Sequence, residues 1–285
     1  MKHKKRRVKI VVVSDVHLGT YGSHAKELLN YLRSIKTKTL ILNGDIIDMW
    51  QFKKRYWPKS HMKLVKFIIG LTAKGTEVYY ITGNHDEMLR KFDGVQMGNL
   101  KIVNKLELDL DGKKAWIFHG DVFDVIMQHS RWLMKLGSIG YDLLIHLNTF
   151  VNYYSKLLGR GKVSLSKKIK DNVKSAVKYI NNFELTSTNL AIAKGFDYIV
   201  CGHIHQPVIR NITDQKGKSI LYLNSGDWIE NLSALEYHKG KWSIYHYQKD
   251  QVLVPGDHEQ DDLFSSESEL NNKELFLKMV KEFQD

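Results

Sequence analysis

Three short apolar runs alternate with two helical patterns in the first third of the chain, and this alternation restricts the fold more than any other feature. The runs cover residues 8–13, 39–42 and 77–82. Each is short enough for a strand, and the β-branched run at residues 8–13 is expected to be buried on both faces. The order strand, helix, strand, helix, strand predicts parallel pairing through right-handed crossovers.

The two intervening segments carry apolar residues at spacings of three and four, as amphipathic helices do. We expect Ser23 to cap the first helix, because a serine hydroxyl accepts a backbone N–H at that position. Pro58 suits the first turn of the second helix, where its missing N–H costs no hydrogen bond. The apolar faces consist of Leu28, Leu29, Leu32 and Ile35 in the first helix, and of Leu64, Val65, Ile68, Ile69 and Leu71 in the second.

After residue 100 the chain changes character, and short alternating strands with hairpin turns replace the helical patterns. Residues 101–110 and 113–118 flank Asp111-Gly112, which is a strong hairpin signal. Further strand segments cover residues 198–201, 219–224, 232–237 and 241–247, the last two joined at Lys239-Gly240. We therefore predict an α/β (α+β) fold, in which two facing mixed β-sheets are flanked by helices.

A helical insertion is predicted between these two sets of strands, over about residues 122–196, where proline is absent. Apolar residues recur at helical spacing from Trp132 to Leu158, and many basic residues follow from Arg160 to Lys178. We interpret this insertion as a cap on one domain of residues 1–250. Residues 251–285 are predicted to form an acidic linker and a short C-terminal helix, because residues 251–272 are polar and residues 274–283 have a helical pattern.

Composition limits both the compartment and the partners of the chain. Cys201 is the single cysteine, so no internal disulfide forms and a reducing, cytoplasmic location is expected. The formal net charge of +12 favours anionic partners, namely nucleic acid, phosphorylated metabolites or an acidic membrane surface. No run reaches the ~18 apolar residues of a spanning helix, so we expect at most attachment to the inner face of a membrane.

Five short segments supply metal-binding side chains in an order and spacing that chance rarely produces. Their carboxylate, imidazole and amide ligands suit Mn, Fe or Zn better than calcium, and a thiolate zinc site is excluded by the single cysteine. All but the fourth follow or close a predicted strand, and an α/β fold brings such residues to one sheet edge. The segments are Asp15-Val16-His17, Gly44-Asp45-Ile46-Ile47-Asp48, Gly83-Asn84-His85-Asp86, Phe118-His119-Gly120-Asp121 and Gly202-His203-Ile204-His205.

In this order the segments resemble the calcineurin-like metallophosphoesterase superfamily, whose pattern is D-x-H, G-D-x-x-D, G-N-H-D/E, a later His and G-H-x-H. The resemblance covers about residues 9–247. It implies a hydrolytic centre with two divalent metal ions, for which we expect Mn²⁺, with Fe or Zn as alternatives. It also implies the ligands: Asp15, His17 and His205 for one ion, Asn84, His119 and His203 for the other, and Asp45 as the bridge.

The same resemblance assigns catalytic roles to His85 and Asp86. His85 would protonate the leaving oxygen or stabilise charge in the transition state. Asp86 would orient a histidine, a role for which Asp48 is the alternative. Helix capping is the other interpretation of both carboxylates. Asp121 is interpreted either as a residue that surrounds the ligands or as a simple turn residue. His119, expected on a hairpin strand, could instead be a buried, hydrogen-bonded core histidine.

A longer resemblance connects the chain to the UDP-diacylglucosamine hydrolase branch, which cleaves a pyrophosphate in lipid A assembly. It depends on His119-Gly120-Asp121, on the predicted insertion, and on Asn224-Ser225-Gly226-Asp227-Trp228. It implies a phosphorylated or lipid-linked nucleotide as substrate, acyl chains held by the cap, and an anionic membrane surface as a partner. The apolar residues of the cap could instead simply pack it onto the core. The best-known members of the branch carry Arg where this chain has His85.

Two other functions stay open at the level of sequence. The net charge fits a metal-dependent phosphodiesterase or nuclease acting on another nucleotide or on nucleic acid, although the basic–aromatic pattern typical of single-strand binding is absent. The fold could also serve as a non-enzymatic binding scaffold. Against a scaffold, every expected ligand position is filled and His85 is retained.

Overall fold

Two β-sheets pack face to face in the structure, a computed structural model that describes residues 5–50, 56–126 and 165–247. These residues all belong to one unit, Met1–Val252. In chain order the elements are β1 (Arg6–Val13), α1 (Ala25–Ser34), β2 (Ile35–Asn43), α2 (Lys59–Ala73), β3 (Glu77–Ile81), a 3₁₀ helix (Glu87–Phe92), β4 (Gln96–Met97), β5 (Leu100–Val103), β6 (Leu106–Leu110), β7 (Lys113–Ile117), α3 (Val122–Ile126), α4 (Leu165–Ala193), β8 (Tyr198–Cys201), β9 (Val208–Thr213), β10 (Ser219–Asn224), β11 (Ser233–His238) and β12 (Lys241–His246).

The first sheet is built around the parallel strands β1, β2, β3 and β5, which confirms the parallel pairing predicted for the first three. Its order is β12-β11-β1-β2-β3-β5-β4, and β11 with β12 forms an antiparallel hairpin. The second sheet has the order β6-β7-β8-β10-β9, with β7, β8 and β10 parallel. The predicted α/β class with two mixed sheets is therefore confirmed.

The strand β1 shows how the layers form. Val11 and Val13 pack with α1 and α2, whereas Val12 packs toward the second sheet, as the two-residue period of a strand requires. Apolar burial contributes roughly 25 cal/mol per Å², so a strand that is apolar on both faces is stable only between two layers. A third core cluster, which includes Trp116 and Phe183, lies between the second sheet and α4.

Residues 101–110 do not form one strand, and this part of the sequence prediction is wrong. Instead, β5 belongs to the first sheet and β6 to the second. The chain crosses between them at Asn104, whose N–H donates to Asp93 and whose side chain accepts a hydrogen bond from Thr82. An alternating pattern cannot reveal such a crossing, because it has the same period in both sheets. The sequence pattern also fails to predict β4 and β9.

The ends of two helices differ from the sequence prediction. His24 is the cap residue of α1, and Ser23 lies one residue too early, with its hydroxyl buried and without a hydrogen-bond partner among the described residues. Ile35 begins β2 rather than continuing α1. Pro58 is the cap residue of α2 rather than a member of its first turn. Helical spacing identifies a helix more reliably than it places its ends.

The predicted insertion is helical where the structure describes it, in α3 and α4. The apolar run from Trp132 to Leu158 and the whole of residues 251–285 lie outside the described residues. The domain bounds, the acyl-chain slot and the C-terminal helix therefore stay predictions. Among the described helices, none is both long enough and apolar enough to cross a bilayer.

Candidate metal centre

The predicted metal ligands all lie on turns at the carboxyl ends of strands. Parallel strands end at one edge, and the two facing sheets bring their edges together there. His119 lies two residues beyond β7 and so follows a strand like the others, contrary to its expected place on a hairpin strand. The turns after β1, β2, β3, β7 and β8 carry, in that order, Asp15 and His17, Asp45, Asn84, His119, and His203 and His205.

Most of these turns hold a ligand residue in the left-handed backbone region, which residues other than glycine rarely adopt. The φ angles of Asp15, His17, Asp45, His203 and His205 are 52°, 49°, 53°, 67° and 53°. Such conformations cost about 1–3 kcal/mol each and cluster at functional sites. The chain therefore carries backbone strain at the positions of predicted ligands.

Two glycines allow the turns to approach one another closely. A Cβ atom on Gly44, where φ is +81°, would lie 2.3 Å from the ring of His119. A Cβ atom on Gly83 would lie 2.2 Å from Oδ1 of Asp45. Glycine precedes Asp45 and Asn84 because no other residue leaves room for the neighbouring ligand.

Asp45 belongs to one group of candidate ligand atoms and lies next to the other. Its Oδ2 is 3.2 Å from Nε2 of His119 and 4.0 Å from Nε2 of His17. A second contact between a carboxylate and an imidazole joins Oδ1 of Asp15 to Nε2 of His205, at 3.1 Å. Within each group the candidate ligand atoms lie within 4.8 Å of one another, the groups being Asp15, His17 and His205, and Asp45, His119 and His203.

Buried polar atoms without hydrogen-bond partners show that these residues fit divalent cations. In the described part of the chain they include Oδ1 of Asp15, Nε2 of His17, Oδ1 of Asn84 and Nε2 of His119. Leaving such atoms unpaired costs free energy, which coordination to a cation would offset. The mixture of carboxylate, imidazole and amide oxygen suits Mn, Fe or Zn.

The contacts of the two ring nitrogens of His119 indicate most directly that a cation or a proton belongs in this centre. Its Nδ1–H donates to the carbonyl of Asn43 at 2.9 Å, which assigns the lone pair to Nε2. That lone pair faces the carboxylate of Asp45, which is also an acceptor, at 3.2 Å. Two acceptors this close require either a proton or a metal ion between them.

The electrostatics of the centre favour positive charge. Burial opposes ionisation of Asp45, but the surrounding histidines outweigh it and hold the pKa of Asp45 well below its usual range. Burial also disfavours charge on His119, yet Asp45 and Asp15 raise the pKa of His119 well above its usual value. In the same way, Asp15 raises the pKa of His205 to about 9 against the effect of burial. The centre therefore attracts cations.

His85 lies beside the first ligand group. Its Nδ1 is 2.9 Å from Oδ2 of Asp48, and the same oxygen is 3.2 Å from Nδ1 of His17. The rings of His17 and His85 meet edge to face, with centroids 4.5 Å apart. Burial lowers the pKa of His85, but Asp48 and Asp45 outweigh it and raise that pKa. Asp48 thus orients both a ligand and the predicted proton donor.

Asp86 supports the turns rather than facing the centre. It is fully buried, and its oxygens accept hydrogen bonds from the N–H groups of Ile46 and Gly83, at 2.9 and 2.6 Å. The Tyr80 hydroxyl donates a third bond at 2.6 Å. These bonds join the turn that carries Asp45 to the turn after β3. Of the two carboxylates considered for orienting a histidine, Asp48 is the one in contact with histidine rings.

Sequence reasoning missed two residues that hold His203. Nε2 of His203 lies 2.9 Å from Oδ2 of Asp124 on α3 and 3.2 Å from the hydroxyl of Tyr179 on α4. Tyr179 also donates a short hydrogen bond to Asp124. These contacts engage Nε2 of His203, so Nδ1 is the ring nitrogen left for a cation. No short-range pattern links the three residues, because they come from two helices of the insertion and a turn of the second sheet.

The segment after β10 holds the turns that carry Asp15 and His205. The backbone N–H of Trp228 donates to the carbonyl of Asp15 at 3.0 Å. The side-chain amide of Asn224, at the end of β10, donates to the carbonyl of Gly202 at 2.7 Å. Oδ2 of Asp227 lies 3.8 Å from Nδ1 of His205. This segment is therefore structural support for the ligands.

Asp121 begins the turn into α3, and it forms an ion pair with Arg90. Its charge is also among those that raise the pKa of His119. Asp121 is therefore both a turn residue and part of the electrostatic surroundings of the ligands, so the two interpretations open at the sequence level are compatible.

Comparisons with known proteins agree with the geometry. The family profile described as calcineurin-like phosphoesterase matches residues 8–207. A UDP-2,3-diacylglucosamine hydrolase of Blochmanniella pennsylvanica is 26% identical over 239 residues, which are 80% of this chain and 91% of that protein. A protein of the same name from Vibrio cholerae is 26% identical over 249 residues, covering 84% and 97% of the two chains.

Solved structures show a weaker likeness. That of an archaeal phosphodiesterase is 13% identical, with a TM-score of 0.38, and covers 83% of this chain and 98% of that one. A score this low supports no argument about function.

Proposed function

The chain belongs to the calcineurin-like phosphoesterase family, and we propose that it hydrolyses the pyrophosphate bond of a lipid-linked nucleotide, as a UDP-2,3-diacylglucosamine pyrophosphatase-like enzyme of lipid A biosynthesis. The class of reaction is established: the chain is a metal-dependent phosphoester hydrolase. The proposal adds the substrate. It is supported by relatives named UDP-2,3-diacylglucosamine hydrolase, which align over most of both chains.

The observation that carries the chemistry is the position of Asp45, which belongs to one ligand group and lies next to the other. Two divalent cations held there would supply a nucleophilic hydroxide at neutral pH and charge stabilisation of the phosphoryl oxygens. We assign Asp15, His17 and His205 to one cation, Asn84, His119 and His203 to the other, and Asp45 to both. Mn²⁺ is the cation that we propose.

The chain's own residues perform the remaining steps. Asp48 holds the ring of His85 next to the first ligand group, from where His85 donates a proton to the leaving oxygen. The proton neutralises the negative charge that develops on the leaving oxygen, and this lowers the barrier to cleavage of the phosphorus–oxygen bond. Asp86 acts as a positioning residue, since its oxygens are engaged in joining the turns that carry Asp45 and Asn84.

The location and the membrane partner are also part of the proposal. The net charge of +12 supports contact with anionic lipid headgroups, which would bring the enzyme to a lipid-linked substrate. The single cysteine supports a reducing compartment, and we propose a cytoplasmic protein that binds the inner face of the membrane.

Hydrolysis of UDP-2,3-diacylglucosamine, measured beside hydrolysis of bis-p-nitrophenyl phosphate, tests the substrate. We expect both activities with Mn²⁺ and neither with a chelator. Asp45→Asn should abolish both, whereas the control Asp109→Asn, at an exposed hairpin, should keep both. Cleavage of the generic diester alone would reject the lipid-linked substrate and favour the alternative, a phosphodiesterase or nuclease acting on another nucleotide or nucleic acid.

A further inference from the structure

Trp50 is half exposed although it lies beside the predicted proton donor. Its side chain is 52% exposed, and its ring centroid lies 4.9 Å from that of His85, with an angle of 33° between the rings. The backbone at Trp50 is fixed, because its N–H donates to Oδ1 of Asp48 at 3.1 Å. The N–H of Met49 donates to the carbonyl of His85 at 3.0 Å. A large flat ring is thus held against the reactive edge while it remains open to solvent.

Tyr21 lies on the segment next to the one that carries Trp50. Leu18 and Ile47 form a parallel bridge, so the segment after β1 and the segment after β2 run side by side. Tyr21 lies three residues beyond Leu18, as Trp50 lies three residues beyond Ile47. Tyr21 is 50% exposed, and its ring lies 3.9 Å from the ring of Tyr56.

Exposed aromatic rings at the edge of a charged centre suit a ligand that combines a flat ring with phosphate groups. A nucleobase is flat, polar at its edges and joined through a sugar to phosphates, so it can stack on a ring while its phosphates reach the cations. An acyl chain would instead need a closed apolar slot, and among the described residues the half-exposed rings beside the buried carboxylates form none.

We propose that Trp50 is the stacking surface for the nucleobase of the substrate, with Tyr21 and Tyr56 extending the aromatic rim. The inference rests on the proposed function in one respect, because it assumes a nucleotide substrate whose phosphates bind at the metal centre. It adds a specificity residue: Trp50 selects nucleotides over phosphates that lack a base.

The test compares the binding of UMP and of ribose 5-phosphate to the Mn²⁺-loaded protein by calorimetry. Stacking of one base on an aromatic ring strengthens binding about ten-fold or more. We expect UMP to bind wild type about ten-fold more tightly than ribose 5-phosphate. Trp50→Ala should remove that difference by weakening only UMP, and Trp50→Phe should keep most of it. The control Phe92→Ala, at an exposed ring on the 3₁₀ helix, should keep all of it.

Equal binding of the two phosphates by wild type would overturn the inference. So would an equal loss for both phosphates in Trp50→Ala, because the ring would then act by positioning His85. The result is independent of the substrate assay. Loss of the UMP preference in Trp50→Ala, without cleavage of UDP-2,3-diacylglucosamine by wild type, would uphold the stacking site and reject the lipid-linked substrate. Cleavage of the lipid by a wild type that shows no preference for UMP would uphold the lipid-linked substrate and reject the stacking site.

Discussion

Nε2 of His119 lies 3.2 Å from Oδ2 of Asp45, although the two residues come from different sheets. The second ring nitrogen of His119 donates to the backbone of β2, so the lone pair of Nε2 is directed at the carboxylate. These contacts of His119 therefore fix the tautomer of a predicted ligand, connect the two sheets and place two acceptors where a proton or a cation is needed between them.

The contact depends on the absence of a side chain at Gly44. We expect Gly44→Ala to displace the His119 ring, because the new Cβ would lie 2.3 Å from it and φ at this position is +81°. Activity should fall at least about 100-fold, and the affinity for Mn²⁺ should fall with it. Activity and metal titration measure both effects.

Gly70→Ala is the matched control for that change. Gly70 lies in α2 with no atom within 4 Å of its missing Cβ, so alanine should raise the free energy of unfolding by about 0.5–1 kcal/mol and leave activity unchanged. If Gly44→Ala behaved like Gly70→Ala, the close packing of the two turns would not be needed for the centre.

Substitution of His85 separates proton donation from metal binding. We expect His85→Gln to lower kcat about 100-fold or more, which is typical for the loss of a general acid, while the bound Mn²⁺ stays unchanged. His24→Gln, at a partly exposed histidine beside Glu27, should change neither quantity. Parallel loss of metal and of activity in His85→Gln would make His85 a ligand and refute its assignment as proton donor.

Asp124 is not a predicted ligand, but it contacts the ring of His203, so its substitution should weaken metal binding. Asp124→Asn should weaken Mn²⁺ binding about 10–100-fold, as loss of a hydrogen-bonded carboxylate behind a ligand commonly does. Tyr179→Phe should have a smaller effect, because Asp124 would still hold the ring. Calorimetric titration of metal-free protein measures both, with Asp109→Asn as the control. Unchanged affinity in Asp124→Asn would show that the insertion does not hold the ligand.

A buried histidine outside the predicted ligand set predicts that acid lowers the stability of the fold. His61 is 1% exposed, its Nδ1 accepts the N–H of Gly19 at 3.2 Å, and burial lowers its pKa from 6.5 to about 4. The unfolded chain therefore binds a proton that the folded chain does not, and stability is lost as the pH falls from 6.5 towards 4.

Replacing that imidazole by a neutral side chain should flatten this dependence. We expect the free energy of unfolding of His61→Gln to fall less than that of wild type between pH 6.5 and 4, measured by urea denaturation. His246→Gln, at an exposed histidine, should follow wild type. Identical slopes for wild type and His61→Gln would mean that His61 is already charged in the folded protein.

Much of this architecture could be predicted because its signals are local. Parallel pairing of β1, β2 and β3 follows from apolar runs separated by helical spacing, and turns after strands carry the ligand motifs. The crossing at Asn104 and the role of Asp124 depend on contacts between residues far apart in the sequence. Asp48 and Asp86 look alike as motif positions, and only their hydrogen bonds distinguish support of a histidine from support of a turn.

The number of Mn²⁺ ions bound per chain, measured together with hydrolysis of bis-p-nitrophenyl phosphate, tests the central claim most directly. Titration of metal-free wild type should show two sites, with hydrolysis appearing as the second fills. Asp45→Asn should lose the second site and the activity, whereas Asp109→Asn, at an exposed hairpin, should keep both. A single site in wild type, or full hydrolysis with one ion bound, would contradict a centre in which Asp45 serves two cations.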